Sequence, residues 1–169
     1  MTESGLFTIG DGLIQSGLRC VIIGGHAVNH HGFNRSTEDL NPIFQRDDQS
    51  DRCLFETLTR YNAAWLSDEI DPQTRLEIAR PVTLPWIAAT RLMMLQTDVG
   101  FVDLFDFVPG LPETPVANLL DDMQLDNGRP SVSLPWRIQM KRASDRPRDR
   151  MDIERPRDRI DIERLTMLT

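Results

Sequence analysis

Residues 19–44 read RCVIIGGHAVNHHGFNRSTEDLNPIF and decide the fold class. The β-branched run at residues 19–23 predicts a short buried strand, which ends at Gly24-Gly25. A short helix is expected at residues 26–31, and the alternating residues 39–44 predict a second strand. Strands and helices that alternate in this way indicate an α/β or α+β domain.

Further elements are predicted on both sides of this stretch. Residues 4–17 have helical periodicity with Gly17 as the stop, and Pro42 favours an edge position or an early end for the second strand. Residues 65–90 give no clear pattern, because three prolines interrupt them. The other predictions are a helix from Asp47 or Ser50 to about Tyr61, a β-hairpin over 91–96 and 101–108 that turns at 98–100, a helix at 116–123 and a helix from Ser133 or Leu134.

Length and composition limit the class of protein. The 169 residues are 40% hydrophobic and 27% charged, which predicts one globular domain over residues 1–169. The formal net charge of −7 argues against a broad basic surface for nucleic acid. No apolar run approaches the roughly 18 residues of a membrane span, and the N-terminus lacks a signal-peptide pattern. Cys20 and Cys53 are too few for a disulfide framework or a Cys-rich zinc site, so we expect a cytoplasmic protein.

The C-terminal part contains a tandem repeat. Residues 146–154 read RPRDRMDIE and residues 155–163 read RPRDRIDIE, so the two copies differ at one position. We expect a helical tail with a break at Pro156, because a proline inside a helix costs about 3 kcal/mol. The repeat is interpreted either as a recent duplication of little consequence or as a docking or self-association segment. Lys141, just before the repeat, is the only lysine of the chain.

Several polar residues could bind a nucleotide and a metal ion. Glycines after a strand, as at Gly24-Gly25, let phosphates approach the backbone N–H groups at a helix N-terminus. Strand alternation puts Asp39 and Asn41 on one face, where a carboxylate could hold Mg²⁺ against those phosphates. Asp103 lies between apolar residues of the predicted hairpin and points away from them. The clustered histidines lack an obvious third soft ligand, which favours structural or surface roles for His26, His30 and His31.

These features together resemble a known family. The first motif covers residues 21–41, which read VIIGGHAVNHHGFNRSTEDLN. It resembles the signature of minimal nucleotidyltransferases of the polymerase-β superfamily, in particular the AbiEii-like group. That signature is a strand, a glycine pair, a helix and then G-x-x-R-x-T-x-D-[IL]-D. VGFVDLFDFVPG at residues 99–110 resembles the strand that bears the family's third carboxylate. KRASDRPRDRMDIER at residues 141–155 resembles a third motif, with Arg146 and Asp149 five and eight residues after Lys141. Three motifs in the family's order make a chance match in a small α/β domain the weakest interpretation.

The resemblance implies a nucleotidyltransferase fold, with a small mixed β-sheet, helices packed on one side and a helical C-terminal tail. It implies Mg²⁺- or Mn²⁺-dependent transfer of a nucleoside monophosphate from an NTP substrate to a hydroxyl acceptor. The implied metal ligands are Asp39, Asn41 and Asp103. The implied catalytic residues are Asp39, Asp103 and Lys141. The residues implied to contact the nucleotide are Gly24, Gly25, Arg35, Thr37, Arg146 and Asp149.

One position departs from the family pattern. Asn41 stands where the family has its second aspartate, and a neutral amide holds a hard cation less well than a carboxylate does. Many AbiEii-like proteins are toxins of toxin–antitoxin or phage-defence systems, so the resemblance offers tRNA or a protein as the acceptor, a cognate antitoxin as a partner, and no membrane. The alternative is a catalytically inactive relative that binds a nucleotide or a partner protein. The sequence leaves the acceptor, the NTP and the oligomeric state open.

Overall fold

The structure, a computed structural model, describes residues 3–23, 39–126 and 128–143, with the backbone alone at 3–6, 39 and 126. The described helices are α1 (Glu3–Gln15), α2 (Ser50–Arg60), α3 (Leu84–Ala89), α4 (Val116–Asp121) and α5 (Leu134–Ala143). The described strands are β1 (Cys20–Ile23), β2 (Asp39–Phe44), β3 (Ala64–Ile70), β4 (Glu77–Pro81), β5 (Leu92–Thr97), β6 (Gly100–Phe105), β7 (Gln124–Asp126) and β8 (Arg129–Ser131). This part of the chain is therefore a mixed α+β structure.

The eight described strands form one mixed sheet in the order β4-β3-β5-β6-β2-β1-β8-β7. β2 pairs antiparallel with β1 and parallel with β6, and β1 pairs parallel with β8. The sheet is larger than the small sheet that the resemblance implied. The extra strands come from the hairpins β3–β4 and β7–β8, which the sequence patterns did not identify.

A first hydrophobic core covers one face of the sheet. The strand side chains that pack there include Leu40, Val102 and Leu104, which have no exposed surface. Helices α1, α2 and α3 cover this face because each presents apolar residues on one side. The helix residues in this first core are Ile9, Leu13, Leu54, Leu58 and Ile87.

A second hydrophobic core covers part of the opposite face. It joins Val21 and Ile43 of the sheet to Leu119 of α4 and Met140 of α5. Helices therefore pack on both faces, and the expectation of helices on one side is wrong. The physical reason lies in β1 and β2, which carry apolar side chains at successive positions and so need cover on both faces.

β2 lies in the middle of the sheet, so the expectation that Pro42 marks an edge or an early end is wrong. The amide of Gln45 donates to the carbonyl of Arg19 at 2.8 Å, in the same register that pairs Ile43 with Val21. Because amide direction alternates along a strand, residues 41 and 43 direct their N–H groups towards β1. The missing N–H of Pro42 therefore falls on the β6 side, where it costs one ladder bond and leaves the strand intact.

Most of the elements predicted from periodicity are confirmed. α1 ends before Gly17, whose φ of +91° is a left-handed conformation that glycine adopts without strain. The carboxylate of Asp47 precedes α2 and accepts hydrogen bonds of 2.9 Å from the N–H groups of Gln49 and Ser50. The hairpin β5–β6 turns just before Gly100, as its sequence predicts.

The helix predicted at residues 26–31 and the tail beyond residue 143, with its repeat at residues 146–163, lie outside the described residues. Within the described ranges, no helix is both long enough and apolar enough to cross a membrane.

Arg46 follows β2 and connects it to the ends of α3 and β6. Its Nε donates to Asp106 Oδ2 at 2.8 Å, and its Nη2 donates to the carbonyl of Thr90 at 2.9 Å. It also pairs with Asp51 in the first turn of α2. Asp106 is 9% exposed and accepts a second hydrogen bond, 2.9 Å long, from Arg91 Nε. The Asp106 carboxylate is thus the shared partner of two arginines.

We expect Asp106→Ala to lower the free energy of unfolding by about 2–4 kcal/mol, because it removes the carboxylate that two arginines share, one of them the partly buried Arg46. Arg91→Ala should cost less than about 1 kcal/mol, since the Arg91 side chain is 68% exposed. Urea unfolding measures both, with Arg80→Ala at the exposed Arg80–Glu69 pair as the control. If Asp106→Ala and Arg80→Ala lowered the free energy of unfolding by the same amount, the Asp106 carboxylate would have no greater role in stability than an exposed ion pair.

A second ion pair connects α1 to β8. Arg129 Nε and Nη2 donate to the two carboxylate oxygens of Asp11 at 2.7 and 2.8 Å. The Arg129 guanidinium also lies 4.7 Å from the centre of the Phe7 ring. The hydrogen bonds from Arg129 hold the pKa of Asp11 below its usual value of 3.8. The pair therefore stabilises the fold at neutral pH and stops doing so as Asp11 is protonated in acid.

Asp11→Asn should lower the free energy of unfolding at pH 7 by about 0.5–1 kcal/mol, the range for ion pairs that remain in contact with water. A carboxyl group with a lowered pKa in the folded state stabilises fully above its unfolded pKa, and this stabilisation is lost as the pH falls through its folded pKa. The difference between the native chain and the variant should therefore shrink as the pH falls below 3.8. Urea unfolding over this pH range is the measurement, with Asp121→Asn on the exposed end of α4 as the control. A difference that is constant through the acid range would show that the pair has no such role.

Candidate functional site

Asn41 and Asp103 lie side by side on the parallel strands β2 and β6. The register pairs Asp39 with Phe101, Leu40 with Val102 and Ile43 with Phe105. Each of these pairs differs by 62 in residue number, so Asn41 is level with Asp103. Partners at the same level of neighbouring strands project on the same face of a sheet. The structure therefore brings together two of the three metal ligands that the sequence predicts.

This pair lies where the cover of the second core ends. Ile43 is fully buried in that core, and Phe105 packs against it. One step along the same face, Asn41 and Asp103 are half-buried. Two residues further along β6, Phe101 is 50% exposed. Exposure thus increases along the strands, and the two polar side chains occupy the boundary between the covered and the open part of the face.

The end of β1 lies next to this boundary. Ile23, the last residue of β1, is the register partner of Asn41. The chain leaves β1 through the predicted phosphate-binding glycines Gly24 and Gly25, which are outside the described residues. Their expected contact with a nucleotide is therefore still a prediction.

Lys141 belongs to α5, which packs on the same face as the Asn41–Asp103 pair. Its chain neighbour Met140 is buried in the second core, and Lys141 itself is half-buried. Arg137, one turn earlier, is also half-buried, so the two cationic side chains share one side of α5 at i, i+4 spacing. α5 therefore brings basic side chains to the side of the sheet that carries the polar pair.

The other predicted site residues lie outside the described side chains. Asp39 is present in β2, where its backbone pairs with Phe101, and its side chain is not described. The predicted site residues beyond the described ranges are Gly24, Gly25, Arg35, Thr37, Arg146 and Asp149, and the three histidines are also beyond them. Their roles stay predictions.

The donor set of the pair fits a hard cation in part. Asp103 supplies carboxylate oxygens and Asn41 an amide oxygen, both of which Mg²⁺ accepts as ligands. Among the described side chains, no three His, Cys, Asp or Glu gather into a group that could hold a metal ion. A site with strong affinity would therefore need a further carboxylate beyond this pair, and Asp39 is the residue that the family motif offers.

Cysteine chemistry does not provide an alternative site in the described part of the chain. Burial raises the pKa of the Cys20 thiol to about 12, so this thiol stays protonated at neutral pH. The thiol of Cys53, a residue of α2, donates to the carbonyl of Ser16 at 3.1 Å and so connects α2 to the end of α1. The surroundings of Cys20 therefore do not activate a nucleophile.

Three side chains around Asp103 were not identified from the sequence. Met94 is the register partner of Asp103, and Gln96 is the partner of Phe101, so all four project on one face. Alternation within the hairpin could have identified this set, because the other face carries the buried Met93, Leu95, Val102 and Leu104.

Comparison of the chain with models of protein families and with curated proteins gives no match.

Asn41→Asp would place two carboxylates at directly adjacent positions. Without a divalent ion, we expect it to lower the free energy of unfolding by roughly 0.2–1 kcal/mol through repulsion across the strands. Mg²⁺ should then raise the unfolding temperature of the variant more than that of the native chain, because an ion that binds the folded state stabilises it. Thermal unfolding in EDTA and in Mg²⁺ tests this, with Asn118→Asp, an exposed position on α4, as the control. A response to Mg²⁺ no larger than that of the control would show that position 41 is not near an ion site.

Proposed function

We propose that the chain is a nucleotidyltransferase-like protein that binds an NTP together with Mg²⁺ or Mn²⁺ at the Asn41–Asp103 pair. The observation that supports this most is the register of β2 and β6, which makes two separate motifs adjacent on one half-buried face. Asn41 and Asp103 are 62 residues apart in the sequence, and nothing in the local sequence around either residue requires them to be adjacent. Their meeting at the end of β1 is what the family resemblance leads one to expect.

In this proposal each residue has a distinct task. Asp103 and Asp39 supply carboxylates to the ion, and Asn41 supplies a neutral oxygen. Lys141 on α5 contributes positive charge towards the phosphates. The ion, when bound, supplies charge neutralisation for the phosphates and polarises the acceptor hydroxyl. The acceptor, whether a tRNA end or a protein hydroxyl, is left open.

The alternative is a nucleotide- or protein-binding relative without transferase activity, and Asn41 is the observation that favours it. A two-ion site gains much of its affinity from negative charge, and an amide in place of a carboxylate removes one charge from it. The chain would then keep the scaffold of the site and bind a nucleotide weakly, with or without a cognate antitoxin as partner.

A transfer assay distinguishes the two. The chain is incubated with labelled NTPs, Mg²⁺ or Mn²⁺, and mixed tRNA and protein acceptors, and the label in the acceptors is measured. We compare the native chain with Asn41→Asp and Asp103→Ala. Asp68→Ala is the matched control, because Asp68 is also a strand aspartate of this sheet but is exposed on β3.

Loss of label in Asp103→Ala but not in Asp68→Ala would support an active transferase. If the acceptors were labelled only by Asn41→Asp, the result would support the inactive relative, in which the scaffold of the site is intact and one metal-binding carboxylate is missing. No label from any variant, together with no Mg²⁺-dependent binding of an NTP by calorimetry, would overturn both the transferase and the nucleotide-binding relative, and only a protein-binding relative would remain.

A further inference from the structure

An open apolar surface adjoins the Asn41–Asp103 pair. Met94 is 63% exposed and Phe101 is 50% exposed, and Gln96, the register partner of Phe101 on β5, is also exposed. We call these three residues the hairpin face. Met94 is directly across from Asp103, and Phe101 precedes Asp103 by two residues on β6. The surface is therefore continuous with the candidate ion site.

The fold does not bury these side chains. The hairpin contributes its opposite side to the first core, where Met93 and Val102 have no exposed surface. Apolar residues at the exposed positions gain nothing from that burial. The open side of the sheet therefore offers apolar surface to a ligand that binds beside the polar pair.

The arrangement matches the two parts of a nucleotide. Neighbouring strands are about 4.8 Å apart and alternate residues about 6.8 Å apart. The apolar surface therefore begins within one side chain of the polar pair. A nucleotide has the same division, with charged phosphates at one end and a flat, weakly polar base at the other. Phe101 offers a ring for stacking, and the amide of Gln96 offers both a donor and an acceptor for the edge of a base.

We propose that the hairpin face of Met94, Gln96 and Phe101 binds the base of the nucleotide whose phosphates lie at the Asn41–Asp103 pair. This inference rests on the proposed function and adds to it the surface that receives the base. Stacking on Phe101 supplies affinity for any base, because every base has a π-face. Gln96 is the residue of the hairpin face that can prefer one base over another.

Calorimetric titration with ATP, GTP and inorganic tripolyphosphate, each with Mg²⁺, tests the inference on the full chain. The native chain should bind the better nucleotide about 5- to 150-fold more tightly than tripolyphosphate, the range for stacking of one base. Phe101→Ala should reduce nucleotide affinity towards that of tripolyphosphate and leave tripolyphosphate binding unchanged. Phe101→Trp should retain the difference. Leu76→Ala is the control, since Leu76 is 68% exposed in the turn between β3 and β4.

The outcomes separate this inference from the function on which it rests. Equal affinity of the native chain for nucleotides and tripolyphosphate would overturn the base-binding surface and leave the ion and phosphate site in place. The base-binding surface would also be overturned if Phe101→Ala bound nucleotides with the affinity of the native chain. It would be overturned as well if Phe101→Ala lost as much affinity for tripolyphosphate as for nucleotides. No binding of any of the three ligands would overturn the proposed function, and the inference with it. Thermal unfolding of each variant confirms that it is folded before it is titrated.

Discussion

The structure depends on the burial of β2 between two hydrophobic cores. Leu40 and Phe44 pack into the first core, and Ile43 packs into the second. β2 also pairs on both edges, with β1 on one side and β6 on the other. A shift of one residue in its register would exchange the two sets of side chains between the faces, which fixes the register strongly. The position of Asn41 beside Asp103 is a consequence of that fixed register.

The polar pair therefore has two requirements to meet. It lies next to a packed core, where an uncompensated charge is costly. It also lies at the start of the open face, where an ion and a phosphate could reach it. An amide next to a carboxylate suits the first requirement, because its N–H groups can donate to a carboxylate, whereas two carboxylates repel each other. In the proposed site, Asn41 would thus favour the stability of the chain without an ion over affinity for an ion.

Much of the fold could be predicted from sequence where burial alternates, as it does along β5 and β6 in the hairpin at Gly100. β3 could not, because its only buried residue is the polar Ser67, so hydrophobic periodicity gives no signal there. β7 and β8 have three residues each, which is too short for periodicity, although the dipeptide Asn127-Gly128 is typical of a tight hairpin turn. The expectation for Pro42 is wrong because sequence does not tell which neighbouring strand each amide faces. The adjacency of Asn41 and Asp103 depends on long-range register, which only the family resemblance could suggest.

The three tryptophans of the chain are divided between the two sides of the sheet. Trp65 and Trp86 stack with ring centres 5.4 Å apart against the first core, whereas Trp136 packs against the second. Indole emission depends on its surroundings, so the intrinsic fluorescence combines a signal from each layer. With Trp136 changed to Phe, the emission would come from the first layer alone. The chain thus carries its own spectroscopic labels for asking whether its two layers open together or one after the other.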